Sequence, residues 1–292
     1  IINNIYAFYF LIFIPIAIII CKLIIDNVIS YKNTKAEKSE LKSGTKDKKD
    51  KTVKTVKIKE QEDEEIKQLK ENFLNIFDNS IDVVSKYNGN VKKIKEDEDV
   101  VLVAYNTQEQ EENYSVDFKI PYFNIDSETA RNYNQQIKSL FKDKSESVLS
   151  STSRKNIIFN VKYKVYENNN ILSLVILSEL KEGNSNERII IQTYNYNLET
   201  NQMVNVNDII NQKNINTANA NNKIKNEINN SQEQNIKLAE LGYNVTVRDT
   251  NKDEFKIENA TEYFLGKNGY LYVIYAYGND NFTSELDVVI FK

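Results

Sequence analysis

A run of almost uncharged residues near the N-terminus, Ile5 to Ile25, constrains this chain more than any other feature. Its single charged residue is Lys22. A helix of this length is about 31 Å long at ~1.5 Å per residue, which matches the hydrocarbon thickness of a bilayer. Pro15 is tolerated inside a membrane span, and the Lys22 side chain can extend to the interface. We therefore predict that residues 1–25 are a single-pass transmembrane anchor.

Three alternatives to an anchor remain open for this run. A cleaved signal peptide is one, but no A-x-A site follows, and Val28 with Ser30 is a weak substitute. A lipoprotein would carry its lipid on Cys21, yet Ile20 stands where a small residue should precede that cysteine. A buried core helix is the third. Because the sequence begins at Ile1 rather than Met, we expect that a segment upstream of it is missing. The position of the span near the N-terminus and the absence of any cysteine after Cys21 favour C-terminal domains outside the cell membrane.

The segment after the run, residues 26–62, is rich in Lys, Glu, Asp, Ser and Thr and has no aromatic residue after Tyr31. Such a composition cannot bury enough apolar surface to offset the entropy lost on ordering. We predict a disordered, charged and flexible tether. A polybasic lipid-binding segment is the alternative, and the interspersed acids weaken it.

The composition excludes several classes of enzyme. Histidine is absent, which rules out Ser-His-Asp and Cys-His nucleophile systems and His-ligated metal sites. The seven glycines form no dinucleotide or phosphate-binding motif. The 42 acidic residues outnumber the 38 basic ones, which does not favour binding to nucleic acid. We predict a protein that is not an enzyme and uses no cofactor; a hydrolase working with carboxylates alone is the remaining catalytic alternative.

Neither the arginines nor a calcium-type motif supports a phosphate-binding or metal-binding site. Bidentate recognition of phosphate needs arginine, and most of the basic residues are lysine. The only arginines are Arg131, Arg154, Arg188 and Arg248. Asp249, Asn251 and Asp253 resemble the start of a calcium loop, but Glu254 replaces the sixth-position Gly and Ala260 the twelfth-position Glu. We predict a solvated turn there and no metal site.

From Asp63 onward, helical and strand signals occur in separate groups. Spacing of apolar residues predicts helices over Asp63–Lys86, from Asp126 through Phe141, and over Asn214–Leu241. The second helix is expected to bury Ala130, Tyr133, Ile137, Leu140 and Phe141. Alternation predicts strands over Val91–Ile94, Val100–Tyr105, Tyr114–Ile120 (stopped by Pro121), Phe159–Val165, Ile171–Leu180, Arg188–Tyr196, Tyr243–Arg248, Tyr263–Leu265, Tyr270–Tyr277 and Glu285–Phe291. We predict an α+β fold of antiparallel sheets with packed helices.

A polar, glycine-containing loop between two apolar strands is the candidate recognition site. Exposed loops on a rigid scaffold commonly carry binding residues, and tyrosine combines apolar area with a polar tip. The candidate ligand-binding residues are Tyr275, Tyr277, Asn279, Asp280, Asn281, Thr283 and Glu285. The alternatives are a plain hairpin loop and tyrosines that serve cross-strand packing.

Several segments also resemble a known pair of bacterial extracytoplasmic domains. They are YSVDFKIPYFNIDSETARNYNQQI (114–137), KYKVYENNNILSLVILSE (162–179), TYNYNLETNQMVNVNDII (193–210) and GYLYVIYAYGNDNFTSELDVVIF (269–291). This pair occurs in RsiV, the lysozyme-sensing anti-sigma factor of Gram-positive bacteria, and in the N-terminal part of the peptidoglycan deacetylase PdaC. The resemblance implies a PdaC-like α+β domain over 63–153 and an RsiV-like α+β domain over 154–292.

The resemblance also implies a role at the Gram-positive cell envelope. We expect a membrane-anchored ligand-binding and sensing protein whose partner is a lysozyme-like protein. In the RsiV-like version, ligand binding exposes the tether to proteolysis, and a sigma factor is released from the upstream segment. The alternative is a non-signalling module or scaffold that binds the glycan of peptidoglycan. No deacetylase module is present in this sequence.

Overall fold

The computed structural model describes residues 64–78, 91–150, 156–279 and 282–292. Residues Glu65–Lys292 form one compact unit. The predicted anchor (1–25) and tether (26–62) lie outside the described residues and stay predictions. None of the helices in the described part of the chain has both the length and the apolar character needed to cross a bilayer.

Two sheets make up the centre of this unit. The first sheet has six strands in sequential order: β1 Val101–Glu111, β2 Tyr114–Phe123, β3 Ile157–Asn168, β4 Ile171–Glu182, β5 Arg188–Asn197 and β6 Gln202–Met203. The second sheet has three strands, also in sequential order: β7 Glu262–Leu265, β8 Leu271–Asn279 and β9 Phe282–Phe291. All pairings within them are antiparallel except that of β2 with β3.

Helices precede, interrupt and connect these strands. Helix α1 covers 64–71 and is followed by a 3₁₀ turn at Leu74–Phe77. The others are α2 Glu128–Ile137, a π-helical turn Lys138–Lys142, α3 Asp143–Leu149, α4 Val206–Gln212 and α5 Thr217–Glu240, with short 3₁₀ turns at Asp253–Phe255 and Ile257–Asn259. The start of α2 is as expected, because Ser127 caps it by accepting a bond of 3.1 Å from the Ala130 backbone N–H.

Three apolar clusters join these elements into layers. In the first, α2 and α3 pack on one face of the six-stranded sheet through residues such as Ile137 and Phe118. In the second, the other face of that sheet meets the three-stranded sheet, and Phe73 lies in the same cluster. In the third, α4 and α5 cover the outer face of the three-stranded sheet. The order is therefore helix, sheet, sheet, helix, which confirms the α+β class.

Strand β4 lies at the centre of this arrangement. Residues Ile171–Leu177 are all buried, and their side chains alternate between the clusters on the two faces of the sheet. A strand that is covered on both faces needs apolar residues at successive positions rather than at every second one. This explains the run ILSLVIL in the sequence, which is apolar except for Ser173.

Two predicted strands are wrong. Over Val91–Ile94 the structure has only an isolated bridge, between Lys93 and Ile125. Over Tyr243–Arg248 it has no ladder, because the backbone N–H groups of Thr246 and Arg248 donate to the side chains of Glu285 and Gln232 instead. Side-chain acceptors there take the place of a neighbouring strand.

Three finer expectations also need correction. Pro121 does not stop β2, because the strand pairs with β3 only up to Phe118 and faces a bulge of β1 after Val103. Leu140 is half exposed rather than buried, since the π-helical turn at Lys138–Lys142 shifts the helical register. The β2–β3 pair is parallel, so the first sheet is not wholly antiparallel.

The six-stranded sheet crosses the predicted domain boundary at 153/154. Strands β1 and β2 come from the segment 63–153, and β3 to β6 come from 154–292. Tyr114–Phe118 pairs with Ile157–Val161 across that boundary. The two segments therefore share one sheet and one core, while their assignment to PdaC-like and RsiV-like domains stays a prediction.

A polar joint holds the two sheets together beside the apolar clusters. Glu262 Oε2 in β7 accepts bonds from the Thr193 backbone N–H at 2.7 Å and the Thr193 hydroxyl at 3.0 Å. Asn195 Nδ2 donates to the Tyr263 carbonyl at 2.7 Å, and the Leu265 N–H donates to Ser173 Oγ at 3.2 Å. Side chains of β4 and β5 thus form hydrogen bonds with backbone groups of β7, which has no backbone ladder with the six-stranded sheet.

Replacing Gly266 with alanine is expected to destabilise the fold by about 1–3 kcal/mol, the usual range for overpacking. A methyl group there would lie 2.5 Å from Cε2 of Tyr272. That ring cannot move away freely, because it is buried and stacks on Phe264 at a centroid distance of 4.6 Å. Urea unfolding measures the effect. In a Tyr272→Ala background the same change should cost much less, and an equal cost in both backgrounds would refute the clash.

Candidate functional site: a buried arginine and the apolar segment it anchors

The predicted recognition loop is shorter than expected. Strand β8 extends to Asn279 and β9 begins at Phe282, so most of the predicted loop belongs to the hairpin strands, with a bulge between Tyr277 and Asn279. Asp280 and Asn281 lie outside the described residues, as do the side chains of Asn279 and Thr283. Tyr277 and Glu285 face each other as a ladder pair.

The two candidate tyrosines are partly buried and pack against the apolar cluster of the three-stranded sheet. Tyr275 lies 5.3 Å from Phe255 between ring centroids, and its hydroxyl donates to the Phe255 carbonyl at 3.4 Å. Tyr277 lies 6.4 Å from the same ring. Burial raises the pKa of both phenols above the ordinary value. Both side chains thus take part in the packing of the three-stranded sheet, and Tyr277 also contacts a buried arginine.

This arginine, Arg248, is the centre of a buried charge cluster. Only 1% of its side chain is exposed. Its guanidinium donates through Nη2 to Glu285, and its Nε lies 2.9 Å from Asp287 Oδ2 as an ion pair. Its carbon Cζ lies 4.3 Å above the ring of Tyr277, which is a cation–π contact. Two predicted site residues, Tyr277 and Glu285, therefore hold this arginine.

The cluster pairs one positive charge with two carboxylates. Burial raises the pKa of Asp287 above its ordinary value, while a hydrogen bond from Ser231 and the Arg248 charge act in the opposite direction. Glu285 also accepts a bond from the Asn235 amide in α5. Because Ser231 and Asn235 belong to α5, the cluster ties the end of that helix to β9 as well as to the segment that carries Arg248.

The chain between α5 and Arg248 has a defined geometry. Helix α5 ends in a Schellman motif: Gly242 has φ +92°, its N–H bonds to the Ala239 carbonyl at 2.9 Å, and the Tyr243 N–H bonds to the Leu238 carbonyl at 3.1 Å. Beyond it, the Arg248 N–H donates to Gln232 Oε1 at 2.5 Å. In the described residues, the N–H groups of Val245 and Val247 have no partner.

This anchored stretch exposes an unusual amount of apolar surface. Twelve large apolar side chains in the described residues are strongly exposed, and five of them fall between 236 and 247. We name these five the apolar segment: Ile236, Leu238, Leu241, Tyr243 and Val247. Leu241 is 74% and Val247 84% exposed, whereas Ile224 and Ile228 earlier in α5 are fully buried. The apolar residues of α5 thus continue beyond the part of the helix that packs on the sheet.

Sequence reasoning did not identify Arg248 or the apolar segment as a site. The alternation of Tyr243, Val245 and Val247 predicts a strand, in which every second side chain would be buried. The available signal for Arg248 was its rarity, since it is one of four arginines in the chain. No group of three or more potential metal ligands occurs within the residues the structure covers.

The described part of the chain defines an α+β protein with two facing sheets and an anchored, exposed apolar segment. No protein-family model and no curated protein matches the chain. Among solved structures it is similar to a DUF3298 family protein from Pseudomonas aeruginosa PAO1, at 11% sequence identity and a TM-score of 0.39. That match covers 64% of this chain and 88% of the other. The resemblance to the RsiV and PdaC domains stays a prediction.

Proposed function

We propose that this protein is a non-catalytic, membrane-anchored binding module of the cell envelope that captures a cationic protein through the apolar segment. The observation that carries the proposal is the concentration of five strongly exposed apolar side chains in twelve residues. Single exposed apolar residues are normal on a soluble surface, whereas a group of them indicates an interaction site.

The anchoring of this segment favours recognition of a folded partner. Arg248 fastens the C-terminal end of the segment to β9, and the Schellman motif fixes the backbone where α5 ends within it, so little entropy would be lost when a partner binds. Tyrosine and aliphatic side chains presented in this way are typical anchors of protein interfaces. The free N–H groups of Val245 and Val247 could add backbone hydrogen bonds to an extended stretch of the partner.

The charge of the domain supports a cationic partner. Residues 64–292 contain 34 acidic and 26 basic residues, a net charge of −8. An acidic surface accelerates association with a basic protein and disfavours acidic ones. A lysozyme-like protein has this chemistry, and it is the partner that the RsiV resemblance implies. Release of a sigma factor from an upstream segment would follow only in the signalling version of the proposal.

The direct test is calorimetric titration of the full chain in lipid nanodiscs with lysozyme. We expect binding at micromolar concentration or tighter, weakened by added salt. Replacing Tyr243 and Val247 with serine should raise the Kd at least about tenfold, which corresponds to the loss of about 1.4 kcal/mol.

The matched control replaces two apolar residues exposed elsewhere, Ile190 and Met203, with serine. This variant should bind as the wild type does. Equal weakening by both pairs, or the absence of any heat with lysozyme, would overturn the proposal.

A further inference from the structure

A second candidate site lies at one end of the six-stranded sheet. The turn between β1 and β2, the start of β3 and the turn between β4 and β5 enclose a cleft of about 420 Å³. This volume is within the range of ligand pockets, about 300–1,000 Å³. The polar groups that line it include Gln110, Glu112, Asn113, Ser115, Lys181 and Asn184.

Backbone hydrogen bonds fix the walls of the cleft. The Ile157 N–H donates to the Asn113 carbonyl at 3.1 Å, and the Gly183 N–H donates to the Asn156 carbonyl at 2.8 Å. Asn156 (φ +58°) and Gly183 (φ +61°) both have left-handed backbone conformations. Asparagine and glycine are the residues that adopt this conformation at least cost. The sequence is therefore suited to holding these two turns in place around the cleft.

The polar side chains of the cleft have unused hydrogen-bonding capacity. Within the described residues, Gln110, Glu112, Asn113, Ser115, Lys181 and Asn184 form no side-chain hydrogen bond or ion pair. Buried or half-buried amides elsewhere in the chain are used structurally: Asn124 bonds to the backbone of Lys95 and Asp99, and Asn134 to that of Phe123. The amides of Gln110, Asn113 and Asn184 are exposed to solvent in one concave site, where they are available to donate hydrogen bonds to a ligand and to accept them from it.

The lining also indicates the chemistry of that ligand. Side-chain amides donate and accept hydrogen bonds, which suits hydroxyl and acetamido groups. Ile158 is 44% exposed in the cleft and can contact the C–H face of a sugar ring. The charged residues of the lining are Glu111, Glu112 and Lys181, so the cleft has a small net negative charge, which disfavours an anionic ligand. We propose that this cleft binds a neutral, N-acetylated oligosaccharide.

This proposal does not rest on the protein-binding proposal above. The cleft is lined by residues of the six-stranded sheet, whereas the apolar segment belongs to α5 and the residues that follow it. A protein carrying both sites could hold a glycan strand and a protein partner on different surfaces. The two sites can therefore be tested by separate substitutions in the same full-length chain.

The test is calorimetric titration of the full chain in nanodiscs with the tetramer of N-acetylglucosamine. We expect a Kd of about 1 mM or tighter, equivalent to at least about 4 kcal/mol. Cellotetraose, which has no acetamido groups, should bind more weakly. Replacing Gln110 and Asn184 with alanine should raise the Kd for the chitin tetramer at least about tenfold, while lysozyme binding is unchanged.

The matched control replaces two exposed amides of α2 that form no hydrogen bonds, Asn132 and Gln136, with alanine. These substitutions should leave the glycan affinity unchanged. Absence of binding at 10 mM tetramer (about ten times the expected Kd), or equal weakening by the two pairs of substitutions, would overturn the proposal. Cleft-dependent binding of a short peptide in place of both sugars would overturn the assignment to a glycan.

Discussion

Replacing Arg248 with alanine is expected to destabilise the domain by about 3–5 kcal/mol, the cost of leaving buried charges without a partner. The change would leave the carboxylates of Glu285 and Asp287 without their cationic partner, and Asp287 is buried against β8 and α5. It would also remove the stacking of the guanidinium on Tyr277. Urea unfolding monitored by circular dichroism measures the loss.

The control for this variant is Arg131→Ala. Arg131 also forms an ion pair, with Asp126 at 3.0 Å, but 61% of its side chain is exposed. Exposed ion pairs contribute about 0–1 kcal/mol, so this variant should be nearly as stable as the wild type. A cost of less than 1 kcal/mol for Arg248→Ala would show that the buried cluster is not an anchor, and would remove the support for a preorganised apolar segment.

The domain is also expected to lose stability as the pH rises from about 4.5 to 7, through the carboxyl group of Glu262. Burial raises the pKa of this group from 4.5 to about 7, although bonds from Thr193 act to lower it. The folded state therefore holds its proton at pH values where the unfolded chain has released it. The stabilising contribution is complete below pH 4.5 and is lost above pH 7, a difference of about 3 kcal/mol.

Replacing Glu262 with glutamine should remove this dependence. The variant should match the wild type near pH 4.5 and exceed its stability by about 3 kcal/mol at pH 8. Burial also raises the pKa of Glu167 and Asp287, but their contributions cancel when variant and wild type are compared at each pH. Exposed Glu233→Gln is the control. Parallel stability curves for wild type and Glu262→Gln would contradict the proposed role of this carboxyl.

Local pattern predicted the parts of the fold in which neighbours in sequence are neighbours in space. Strands β3, β4 and β5 form the meander that alternation and turn residues indicated, because each hairpin closes over a few residues. Helix α5 ends near Leu241 and Gly242 as expected. In each case the residues that predict the element and the residues that it contacts lie within one short segment of the chain.

The expectations that failed depend on contacts between distant residues. Tyr243–Arg248 has a strand-like alternation, but its backbone bonds are made to Gln232 and Glu285. Glu262 is buried where its carboxylate accepts hydrogen bonds from Thr193, which is 69 residues away in the chain. Nothing within a few residues of either position indicates those partners. The candidate site is predicted only in part for the same reason: the loop pattern indicates Tyr277 and Glu285 but not Arg248, the arginine that they hold.

The parallel pairing of β2 with β3 has a consequence for how the domain folds. Every other ladder joins strands that are adjacent in the chain, whereas β2 and β3 are separated by α2, α3 and their connections. Closing such a loop costs chain entropy before the new contacts compensate for it. We therefore expect the β1–β2 hairpin and the β3–β5 meander to form early and independently. The pairing of β2 with β3 at Tyr114–Phe118 would then limit the folding rate, and substitutions in that pairing would slow folding.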